Sequence, residues 1–121
     1  MPPRRSLCAA PLIAAIAAAH ANDFQDAVRA SALRTQRCVD TQVRALDDEV
    51  SGADVIARAV VTACGAALDE AADVMTYGPG AHDTTNPTLA NERNTLRRQV
   101  EQDATKQATL AVLQERAHHT R

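Results

Sequence analysis

Cys38 and Cys64 are the residues whose type and spacing speak most directly of chemistry. With the turn between two helical segments centred on Ser51, each cysteine lies 13 residues away, one before it and one after it. At about 1.5 Å of rise per residue, both then sit roughly 20 Å from that turn, so folding two antiparallel helices there brings them level. Cys38 adjoins the stripe of Val39, Val43 and Leu46, and Cys64 lies at the edge of the face carrying Ile56, Val60 and Ala67. Both cysteines thus fall near the same interface, and the expectation is an intramolecular disulfide. Closing the 25 intervening residues contributes roughly 3 kcal/mol through the entropy of the unfolded chain. A redox-active pair is disfavoured, because no Cys-x-x-Cys stands at a helix start to lower a thiol pKa.

Other polar clusters have less to offer. Asp47, Asp48 and Glu49, with Asp54 nearby, form the densest acidic group. Oxygen-seeking cations need clustered carboxylates, but this spacing matches no calcium loop and neighbours on a helix point apart. The cluster is expected to be a solvated helix end. Asp69, Glu70 and Asp73 make a second acidic patch, read as a polar helix face. His82 and Asp83 fall in a Gly/Pro-rich stretch that orients neither a base nor a nucleophile. His118 and His119 lie at the chain's end and lack a third ligand. No catalytic, cofactor-binding or metal residues are therefore assigned. Arg93, Arg97 and Arg98 are the only concentrated positive patch, suited to weak contact with an anionic surface; Glu101, four residues beyond Arg97, offers an internal partner.

The compartment follows from the first residues. Arg4 and Arg5 precede a 13-residue apolar run from Leu7 to Ala19, and Ala19-His20-Ala21 then supplies the small-x-small pattern that signal peptidase reads. The run is too short for a transmembrane anchor, which needs roughly 20 apolar residues. Cys8 stands at its beginning, whereas a lipidated cysteine stands at the end. Residues 1–21 are thus expected to be a cleaved signal peptide and 22–121 a single domain, periplasmic or secreted. That expectation also makes the Cys38–Cys64 bond favourable, since disulfides persist in oxidising compartments.

From Asn22 onward there are 100 residues, with 11 basic and 15 acidic side chains. That balance argues against nucleic acid as a partner, which calls for a concentrated basic footprint. The whole chain has one Phe, one Tyr and no Trp, so an alanine-rich domain forms helix easily but buries little area per residue.

Three helical segments must position these residues. The first, about 23–50, carries Val28, Ala32, Thr35, Val39, Val43, Leu46 and Val50 at helical spacing. Asp23 and Asp26 fall in its first turn, where the dipole favours them. The second, about 52–76, carries Ile56, Val60, Ala63, Ala67, Ala71 and Met75, widened by Val55, Ala59, Cys64 and Leu68, with Ser51 and Asp54 as a box-like cap. Residues 77–86 form a linker, with Asn86 capping and Pro87 opening the third segment, about 87–117. Its anchors are Leu89, Leu96, Val100, Leu110, Leu113 and Ala117. The stretch between Val100 and Leu110 thins to Ala104 and Ala108, so this half is expected to project or fray.

The fold class expected is all-α: a small antiparallel hairpin plus a third helix, stapled by the disulfide. The function expected is that of a non-enzymatic protein that binds, inhibits or supports another protein in the periplasm, without a cofactor. The alternative is a small metal-handling protein or enzyme whose site is spread across helices.

Overall fold

The computed structural model describes the backbone of residues 10–80 and 82–121 and the side chains of residues 21–80 and 82–121. The positively charged start of the expected leader, including Cys8, lies outside the described residues. Among them are four helices and no strand: α1 (Ala10–Leu46), α2 (Ala53–Ala63), α3 (Gly65–Tyr77) and α4 (Pro87–His119).

The chain is an all-α bundle in which α2 and α3 together run antiparallel to α1 and to α4. The end of α1 meets the end of α4 where Arg116 reaches Asp47, and the start of α4 meets the end of α3 where Arg93 reaches Asp73. The expected second segment is present but divided, and its inward side is narrower than expected: Ile56, Ala57, Val60 and Val61 are buried, while Val55, Ala59 and Ala63 fall on the outer side of α2 and are exposed. Cys64 occupies the division at φ −93°, ψ 13°, where it ends α2 and opens α3, and its N–H still bonds to the Val60 carbonyl at 2.9 Å.

The core is thin. Its buried apolar residues are mostly Val and Ala, with Ile56 and Leu68 the largest aliphatics and no aromatic ring. On α1, Ser31, Thr35, Val39 and Val43 face inward at intervals of four residues. The expected stripe therefore holds from Thr35 to Val43; before it Ser31 takes the inward position and Ala32 is exposed, and after it Leu46 is 37% exposed. Helix α1 stops at Leu46, and Val50 stands 89% exposed in the turn that follows. At the other end α1 reaches back to Ala10, so Asp23 and Asp26 lie inside the helix rather than in its first turn.

The expected cap of the second helix is also corrected. Gly52, not Ser51, is the N-cap and makes no side-chain cap bond; the Ser51 hydroxyl instead donates to Asp48 at 2.6 Å. Asn86 does cap α4, accepting from the N–H groups of Thr88 at 3.0 Å and Leu89 at 3.4 Å, with Pro87 behind it. Gly78 closes α3 at φ 81°, a backbone conformation that costs glycine nothing, and its N–H returns to Val74 at 2.9 Å.

Helix α4 departs most from expectation. Its fully buried residues are Ala104, Ala108 and Val112, in the stretch expected to project, while Leu110 and Leu113 are 60% and 52% exposed and Ala117 is exposed. The reason is the close approach of α2, α3 and α1 to this helix. Only small side chains fit between the backbones, so the inward stripe runs through the alanines, and the leucines fall on the outer face.

Candidate functional site

Cys38 and Cys64 are joined, with Cα atoms 5.9 Å apart. Cys64 is 1% exposed and belongs to the core cluster; Cys38 packs against that cluster from α1 and is half-buried. The bond therefore fixes the middle of α1 to the division between α2 and α3. It is a structural element of the core, reached by solvent only from the Cys38 side.

The acidic cluster after α1 is consumed by the turn it belongs to. The Asp47 carboxylate accepts from the N–H of Glu49 at 3.0 Å and from Arg116 of α4, through Nε at 3.1 Å and Nη2 at 2.5 Å. The same Nη2 donates to the Ser51 carbonyl at 2.8 Å. These bonds, Arg116 foremost, hold the Asp47 carboxyl below the ordinary carboxylate range. Asp48 accepts from the Ser51 hydroxyl and from the N–H groups of Ser51 and Val50, which pull it down to about 2. Glu49 sits at φ 60°, a left-handed conformation unusual for its type. Asp54 pairs with Arg58 one helical turn on, at 3.0 Å.

The second acidic patch and the basic run neutralise one another. Asp69 meets Arg97 at 2.7 Å, Asp73 meets Arg93 at 2.7 Å, and Glu70 meets Arg34 of α1 at 2.6 Å. Arg97 also reaches Glu101 at 2.8 Å, the spacing read from the sequence. Of the three arginines considered for an anionic contact, Arg98 alone carries no ion pair among the described residues; it donates to the Thr95 hydroxyl at 3.3 Å.

The histidines are dispersed. His82 stacks on Tyr77, ring centroids 5.1 Å apart, while Asp83 accepts from both the N–H and the hydroxyl of Thr85. This loop lies beyond Gly78, against which the Phe24 ring rests. From Phe24 to Asp47 the helix climbs roughly 35 Å, so the His82–Asp83 pair and the Asp47–Glu49 cluster occupy opposite ends of the bundle. His118 borders a polar cleft between α1 and α4 with Asp40, Arg44 and Glu115. His119 approaches Glu115 at 3.9 Å. Among the described residues no three His, Cys, Asp or Glu side chains are placed to hold a metal ion.

Sequence reasoning missed two features. One is the Arg116–Asp47 clamp, whose partners are 69 residues apart and carry no local signal. The other is a groove of about 190 Å³ between α1, α3 and α4, lined by Val28, Ala32, Ala71, Met75, Val100 and Ala104. Ser31 and Thr35 also face it, but their hydroxyls are spent on the Val28 and Ser31 carbonyls of α1. The groove is thus an apolar surface, with Asp103 and Gln107 as its remaining polar neighbours.

The molecule so defined is a small all-helical domain with a buried disulfide and no catalytic motif evident in its sequence. No family model, no curated protein and no solved structure matches the chain. Among the described residues no helix is long and apolar enough to cross a membrane.

Proposed function

We propose that this chain is an exported, non-enzymatic binding protein, released from its leader near Ala21, that acts through contact with another protein. The observation that carries the reading is the Cys38–Cys64 bond at the centre of the core, a linkage that persists where the environment is oxidising. The leader pattern supplies the same address from independent residues. The packing is compatible with cleavage after Ala21: residues 21–26 are all exposed, and the first buried residue of α1 among those described is Ser31.

A contact role is supported by how the polar groups are used. The carboxylates of both acidic patches are largely engaged by backbone donors or arginines, while the α1–α3–α4 groove offers apolar surface to a partner. The test of the address is a fusion of residues 1–26 to a reporter enzyme active only outside the cytoplasm. Activity that disappears when Ala19 and Ala21 are both replaced by Tyr is expected; a fusion inactive from the outset contradicts export. The test of the contact is capture from a periplasmic extract by the wild-type chain and by Ala32→Arg, which plugs the groove. The same polypeptide retained by the first and lost by the second is expected, and equal retention contradicts the groove as the contact face.

A further inference from the structure

The four helices are not held with equal strength. Helices α2 and α3 pack on α4 through Ile56, Val60 and Leu68 against Ala104, Ala108 and Val112, and Arg93 and Arg97 add ion pairs to Asp69 and Asp73. These three helices form a continuous frame. Helix α1 brings fewer buried apolar side chains. Its buried apolar side chains are Val39 and Val43, and the neighbouring inward positions are hydroxyls: Ser31 donates to the Val28 carbonyl of its own helix, and Thr35 donates to the Ser31 carbonyl at 3.1 Å with a longer contact, 3.5 Å, to the Ala67 carbonyl of α3. Its ion pair to α3, Arg34–Glu70, is about half exposed at both partners, at 50% and 45%, where screening leaves such pairs little strength. The strongest ties of α1 to the frame are the Arg116–Asp47 clamp at one end and the Cys38–Cys64 bond in the middle.

We propose that the Cys38–Cys64 bond is the latch that keeps α1 docked on the α2–α3–α4 frame, so that its redox state switches α1 between docked and released. A dithiol reductant opens it from the side of half-buried Cys38. The reductant's thiolate attacks the Cys38 sulfur, the S–S bond breaks and the Cys64 thiolate leaves and takes up a proton. The reductant's second thiol then resolves the mixed disulfide and frees the Cys38 thiol. Two electrons and two protons pass to the cysteines, and the dithiol departs as its own disulfide. The reverse exchange with an oxidised disulfide re-forms the latch.

Its use rests on the export reading above. Helix α1 is continuous from Ala10, inside the apolar run of the leader, to Leu46, so whatever holds α1 also holds the leader. Before export, in a reducing cytoplasm, an unlatched α1 leaves the leader free for translocation. After export, oxidation locks α1 onto the frame.

Hydrogen exchange read by mass spectrometry on the full 121-residue chain tests the latch itself, and stands apart from the reporter fusion that tests export. Reduction by excess dithiothreitol is expected to speed exchange of the α1 amides from Ala27 to Leu46 on the order of a hundred-fold. Amides in α2, α3 and α4 should change by a several-fold smaller factor, and oxidised glutathione should restore α1. The Cys38→Ala/Cys64→Ala pair, which cannot reoxidise, must match the reduced chain. Loss of protection equal in every helix overturns the proposal, because the bond then adds only global stability. Retained protection of α1 in the reduced chain or the alanine pair overturns it too.

Discussion

Asp48 stands in solvent, yet its carboxylate holds the turn after α1 by three hydrogen bonds, from Val50, from Ser51 and from the Ser51 hydroxyl. Its folded value of about 2 lies below its ordinary 3.8, and Asp47, bonded chiefly by Arg116, is shifted in the same direction. A carboxyl depressed in the folded state contributes stability above its unfolded value and loses it as pH falls through the folded one. The urea midpoint should therefore stay level from about pH 7 to about pH 5 and fall between about pH 4 and pH 2. Asp48→Ala should lower the midpoint at neutral pH and flatten that acid limb. Leu68, the largest fully buried side chain among the described residues, tests the core itself. Leu68→Ala should cost about 3 kcal/mol in equilibrium urea unfolding, through lost burial and the cavity left behind. The Asp48 bonds had no clear sequence signal, because the acidic run reads equally well as a solvated helix end. Leu68 was legible, since it falls beside Cys64 on the widened face of the second segment.

At the scale of the element, capping and turn geometry set where the helices stop. Asn86→Ala removes the acceptor for two N–H groups at the start of α4 and should cost about 1 kcal/mol, measured by thermal or urea unfolding. Glu49 holds φ 60° without the freedom of glycine. Glu49→Gly should therefore stabilise the chain by about 1 kcal/mol on the same measurement. Asn86-Pro87 was plain in the sequence because the two residue types carry their own local conformations. The α1 stripe was legible from Thr35 to Val43, where the helix packs on its neighbours, and misleading at Val50, where periodicity outlasts the helix. On α4 the hydropathy pattern pointed to Leu110 and Leu113, but backbone proximity decides which residues fit inside, and it selects Ala104 and Ala108. Spacing between helices is a tertiary quantity that no single segment encodes.

Across the whole molecule, the all-helical class and the disulfide followed from composition and from the symmetry of Cys38 and Cys64 about Ser51. The groove between α1, α3 and α4 did not, since its walls come from three helices whose relative rotation is fixed only on packing. The proposed function brings an N-terminal address, a bond through the core and an apolar contact face together. The most direct test of that claim is the intact mass of the protein recovered from the periplasm after expression of the full chain, with free thiols alkylated first. A chain beginning at Asn22 that takes up no alkyl group and, on reduction before alkylation, takes up two, at Cys38 and Cys64, is expected. A chain that keeps residues 1–21 with Cys38 and Cys64 already alkylated would contradict it.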